Sequence, residues 1–86
     1  MSKNQKFVVE NKFQKPIILC IEPWATEYGM MPDEKFEIVT NDEADNFYFH
    51  LVFENERIAI FVEGAGTSHP QIYQDGELLD YGHNSF

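Results

Sequence analysis

Phe47, Phe49, Leu51 and Phe53 recur at every second position, a spacing that only an extended strand turns into a single apolar face. The intervening Tyr48, His50, Val52 and Glu54 are half polar, so one side of this strand is expected to be buried and the other wet. After the polar pair Asn55-Glu56 the alternation returns in Ile58, Ile60 and Val62. Two such runs across a short polar break read as a β-hairpin. An isolated hairpin is barely stable in water, so the rest of the chain must supply the surface that covers it. The first of the two strands is expected at the centre of a sheet, with Phe49 and Leu51 in the core.

The rest of the chain offers that cover in short extended pieces. Residues 6–10 form a β-branched run ending at Asn11-Lys12. Residues 17–22 place Ile17, Leu19 and Ile21 on one face and Ile18, Cys20 and Glu22 on the other, a two-sided apolar pattern that suits an interior strand. Pro23 ends it, having no amide hydrogen for a ladder. Residues 26–30 suit a short edge strand. Met31-Pro32-Asp33-Glu34 puts proline at the second position of a β-turn. A helix starting at Asp33 is the competing reading, but the alternation of Phe36, Ile38 and Thr40 favours a strand.

Farther on, residues 64–70 are rich in breakers and read as a loop. Residues 71–74 and 77–81 flank Asp75-Gly76, a strong hairpin signal, and the chain is expected to fray from Gly82 onward. No segment has a helical period. The fold class is therefore all-β: a small antiparallel β-sandwich or partly closed barrel of seven to eight short strands. A chain of 86 residues has room for one core, so residues 1–86 are expected to be a single domain. Eight Phe, four Tyr and one Trp supply the large side chains such a core needs.

Charge and cysteine usage narrow the surroundings. Lys3, Lys6, Lys12 and Lys15 against Glu10 give the first fifteen residues +3, and the remainder carries −12, for a total of −9. A body of that sign repels nucleic acid and anionic membranes, so neither is expected as a partner. The basic first strand is expected to lie against acidic neighbours. Cys20 is the single cysteine, which excludes an intramolecular disulfide. A reducing, cytoplasmic setting follows as the expectation, as does the lack of an apolar signal core near the start.

The motifs that could carry chemistry fall short one by one. Cys20 with His50, His69 and His83 invites a copper site, yet no histidine lies near Cys20 in sequence as a blue-copper loop requires. Gly64-Ala65-Gly66 lacks the third glycine, the lysine and the helix of a phosphate loop. Residues 41–46 offer oxygen ligands without the glycine and terminal glutamate of an EF-hand. Ser68-His69 is only a sequence neighbour pair, whereas nucleophile and base must meet in space. No catalytic residue, metal ligand or cofactor is expected.

The remaining cluster is Glu22, Trp24, Glu27, Tyr28 and Met30, which brings aromatic, sulfur and acidic groups to one end of the sheet. Exposed, these residues would form an interaction surface of the kind aromatic hot spots favour, for a protein partner or a homodimer. The competing reading is that Trp24 and Tyr28 plug the open end of the core. The block Ile21-Glu22-Pro23-Trp24, Glu27-Tyr28, Met31-Pro32-Asp33-Glu34 and Phe36-Glu37-Ile38 resembles one in small bacterial proteins of unassigned activity, where an EPW run precedes a PG/D-E turn. The resemblance implies a bacterial cytosolic β domain and attaches no activity. A non-catalytic, acidic interaction or accessory domain is thus expected, with a small-ligand or metal-binding domain using the same end, with His50 or His69, as the alternative.

Overall fold

The computed structural model describes residues 5–40, 48–64 and 68–84. Within them lie β1 (Gln5–Glu10), β2 (Ile17–Glu22), β3 (Thr26–Met30), β4 (Lys35–Thr40), β5 (Tyr48–Glu54), β6 (Arg57–Glu63), β7 (Gln71–Gln74) and β8 (Glu77–Leu78). They form two four-stranded sheets, ordered β1-β4-β7-β8 and β3-β2-β6-β5. This is an all-β sandwich, closed along one side. Phe47, the oxygen-rich loop 41–46 and the glycine loop at 65–67 lie outside the described residues.

Alternation decides which side chains fill the space between the sheets. Leu19, Ile21, Met30, Phe36, Ile38 and Ile60 are fully buried, and Ile17, Ile58, Val62 and Ile72 join them. β2 is an interior strand, flanked by β3 and β6, as its two apolar faces suggest. Its pairing with β6 is parallel, Ile18 opposite Arg57 through Glu22 opposite Phe61. The second sheet is therefore mixed, where an antiparallel one was expected. Adjacent apolar runs do not reveal direction, and β3, β4 and β5 separate the two strands in sequence.

The turns obey their residues. Glu34 N–H donates to the Met31 carbonyl at 3.1 Å, and Asp33 has φ 68°. Proline at the second position and a left-handed third position define a type II turn, so no helix begins at Asp33. Asp75 and Gly76 both have positive φ (51° and 83°), as a tight hairpin demands.

The basic start of the chain lies on acids, as its charge suggests: Lys6 on Glu37 (3.2 Å), Lys12 on Glu10 (3.1 Å) and Asp33 (3.5 Å), and Lys15 on Glu56. These pairs are exposed and screened by solvent, so they add little to stability.

Two expectations about the edges fail. β5 is the edge of its sheet and not its centre. Only Phe49 on its inner row meets the opposite sheet, with its ring edge-on to Phe7 at 4.7 Å. Leu51 is 36% and Phe53 67% exposed. At the other side, residues 79–84 do not fray. Leu79 N–H donates to Ile72, Gly82 N–H to Glu27 and Gly29 N–H to His83, so the tail crosses from β7 to the free edge of β3 and shuts that side.

One buried polar residue ties these pieces together. Asn11 is 1% exposed. Its Nδ2 donates to the Lys15 carbonyl (3.0 Å) and the Met30 carbonyl (3.1 Å), and its Oδ1 accepts from Phe13 N–H (2.9 Å). Its main chain adds bonds to Glu34 and Asp33. Asn11→Asp would replace the donating amide with oxygen facing two carbonyls. The expected cost is about 3 kcal/mol or more, measured by denaturant unfolding.

The edge position of β5 gives a second test. Ile60→Ala should lose about 2–5 kcal/mol, whereas Leu51→Ala should lose about 1 kcal/mol or less, since the side chain is already partly in water. Equal losses in denaturant midpoint would place β5 back in the core.

Candidate binding site

The register of β2 with β3 sorts the five residues expected to form one surface. Tyr28 lies opposite Leu19 and Met30 opposite Ile17, both inward positions, so Tyr28 and Met30 are buried in the core. Their expected exposure beside Trp24 is corrected on that ground. Glu27 lies opposite Cys20 on the outer face, where its carboxylate pairs with Arg57. The guanidinium pKa is raised, first by the neighbouring Cys20 side chain and then by the Glu27 carboxylate. Cys20 is buried beneath that pair. Glu22 is half-buried on the same outer face. Trp24 alone stands at the hairpin tip, partly exposed.

What Trp24 meets there is His69, with ring centroids 5.1 Å apart, and His69 in turn meets Tyr81 at 4.8 Å. Three aromatic rings from different loops thus meet, tilted against one another, at one end. The imidazole is pinned at both nitrogens. Nδ1 lies 2.6 Å from the Pro70 carbonyl and Nε2 3.0 Å from Thr26 Oγ1. A carbonyl only accepts, so Nδ1 carries the proton; in the neutral ring Nε2 then accepts from the threonine hydroxyl. The ring's plane and tautomer are set by these two bonds.

Beside the rings opens a cleft of about 390 Å³. Tyr28 and Ile72 form its buried base, with His69, Tyr81, Leu78, Leu79 and Asp80 also lining it. The tail crossing that shuts the sandwich also builds the cleft, since it carries residues 79–81 over the end of β7. Burial, and then the nearby Tyr81, push the Tyr28 phenol up to about 12.

Sequence reasoning found Trp24 and offered His69, beside His50, only for a ligand or metal at this end; it missed Tyr81 and the ring contacts. His69 and Tyr81 each stand next to a breaker, Pro70 and Gly82, but no spacing links them; only the tertiary fold does. Elsewhere, His50 pairs with Glu63 at 3.1 Å and His83 lies edge-on to Phe36 at 5.9 Å. Among the described residues no three His, Cys, Asp or Glu side chains converge as a metal would require. No described helix is long and apolar enough to cross a membrane. No family model, curated protein or solved structure matches the chain.

The raised Tyr28 pKa predicts a stability loss in alkali. The native phenol holds its proton up to about 12, whereas the unfolded side chain releases it near 10.0. Stability from this group is therefore intact below pH 10.0 and is lost as pH rises to about 12. The loss approaches ~2–3 kcal/mol. Tyr28→Phe should flatten that part of the curve of unfolding free energy against pH; an identical slope in both proteins would assign the alkaline loss to other groups.

Proposed function

We propose that this chain is a non-catalytic, acidic binding domain that recognises a basic segment of a protein partner at the Trp24–His69–Tyr81 end. The observation that carries this reading is the pinned aromatic cluster with a cleft at its side. Aromatic groups held rigidly at a surface lose little entropy on binding and recur at hot spots. The rings of Trp24 and Tyr81 offer faces to a cation, and Asp80 adds a carboxylate at the cleft. The charge of −9 draws a basic partner in. No group in the cleft is arranged as a nucleophile with its base, since both nitrogens of His69 are engaged by Thr26 and Pro70.

A small-molecule reading shares the same cleft, whose volume of about 390 Å³ falls in the range of ligand pockets. The two are separable because Trp24 is the only tryptophan and reports directly on this end. Its emission should respond to a short lysine- and arginine-rich peptide and not to an acidic peptide of equal length. Trp24 cannot be removed without losing the reporter, so Tyr81→Ala is the informative variant. It should weaken the basic peptide about tenfold, or ~1.4 kcal/mol, with an unchanged melting temperature. A response to neutral small aromatics alone would favour the small-ligand reading, and silence toward all three would remove the site.

A further inference from the structure

A buried hydroxyl is ordinarily engaged in a hydrogen bond, and one left over calls for a reason. Tyr28 carries such a hydroxyl. The residue is 1% exposed and lies at the base of the cleft, yet its phenol has no hydrogen-bond partner among the described residues. Thr40 Oγ1 and His83 Nε2 are the described side-chain atoms that lack a partner and are also shut off from solvent. Tyr28 is not among them, so its oxygen opens onto the cleft. The fold places it there: β3 points Tyr28 inward opposite Leu19, and the crossing tail bonds its backbone neighbours, Glu27 and Gly29, without reaching the hydroxyl.

The second unengaged group is the Asp80 carboxylate. Asp80 is exposed at the cleft and forms no ion pair or side-chain hydrogen bond among the described residues. Lys6, Lys12, Lys15 and Arg57 are paired with other acids, and no described lysine or arginine lines the cleft. His69 is held at both nitrogens. A guest therefore meets a phenol oxygen at the floor, a carboxylate, apolar walls from Ile72, Leu78 and Leu79, and the ring of Tyr81. The Tyr28 phenol keeps its proton through neutral pH, so it accepts as well as donates.

Those four features suit an aliphatic stem that ends in a flat cation with several donors. We infer that the cleft seats one arginine side chain of the basic segment. Its stem lies against Ile72, Leu78 and Leu79, and its guanidinium is shared between the Tyr28 hydroxyl, the Asp80 carboxylate and the face of Tyr81. The inference rests on the binding reading above and narrows it to one residue type. Arginine holds its five N–H donors in a plane, so it serves two acceptors while its face lies on an aromatic ring. The ammonium of lysine is more strongly hydrated and has no flat face, so it loses more on entering a cleft with apolar walls. An anionic guest would be opposed by Asp80 and would meet no cation.

Titration of Trp24 emission with three peptides tests this. All share one lysine-rich frame and differ only at a central position, which holds arginine, lysine or citrulline; citrulline keeps the shape of arginine and loses its charge. The arginine peptide should bind at least about tenfold more tightly than either of the others. Tyr28→Phe removes the hydroxyl and keeps the ring, and should bring the arginine-to-lysine ratio down to about threefold or less. Asp80→Asn should lower the same ratio with an unchanged melting temperature. Because Asp80 is exposed, this variant decides the matter if Tyr28→Phe disturbs the core. Equal affinity for the arginine and lysine peptides would overturn the inference and leave the basic-segment reading standing. So would a ratio that neither substitution moves, or a citrulline peptide that binds as tightly as arginine. Failure to bind any of the three would overturn both readings together.

Discussion

The sandwich depends on a carboxamide that sequence patterning treats as a loop residue. Asn11 touches the start of the 12–16 loop, the end of β3 and the 31–34 turn at once. An apolar side chain could fill the same volume, but it would leave the carbonyls of Lys15 and Met30 without this donor, the second of them buried. Neither aspartate nor glutamine reproduces its geometry, the first lacking the donor and the second reaching too far. Glu34 extends the arrangement. Its carboxylate accepts from Met31 N–H at 2.7 Å and from Gln74 Nε2 at 2.8 Å, joining the turn to β7. The apolar core supplies most of the driving force for collapse; these polar contacts set which loops meet.

The two sides of the sandwich are finished differently, and both surface features follow from that. Where the tail crosses to β3, backbone donors and acceptors are satisfied, and Tyr81 is delivered to the Trp24–His69 pair. On the side of β1 and β5, Phe7 meets Phe49 among the described residues, and Leu51 and Phe53 are exposed. A domain this small has little polar surface to spare for a second crossing segment.

Much of the architecture was legible in the residues. Strict alternation located the strands, Pro32 and Gly76 marked turns, and the two-faced apolar run at 17–22 identified an interior strand. Alternation says which residues share a face, though, and not whether that face is covered. Phe49, Leu51 and Phe53 carry the same signal and reach three different environments. The candidate site shows the same limit. Trp24 stood out by composition, whereas Tyr28 and Met30 were drawn inward by their register with β2. Tyr81 reaches Trp24 on the crossing tail, which bonds β7, β3 and itself, and His69 reaches it from the residues just before β7; both approaches are tertiary and leave no local signal.

The parallel pairing of β2 with β6 has a consequence for the order of assembly. Each β2 residue finds its β6 neighbour 39 positions downstream, and β4 must be placed in the other sheet before the crossover is complete. The hairpins β2–β3, β5–β6 and β7–β8 can form from local contacts, but the central ladder cannot. A chain emerging from the ribosome therefore holds β2, its most apolar strand, without its principal neighbour until β6 is out. Closing so long a loop is slow compared with forming a hairpin. During synthesis, the stretch of chain that most needs shielding from other chains is the one around Leu19.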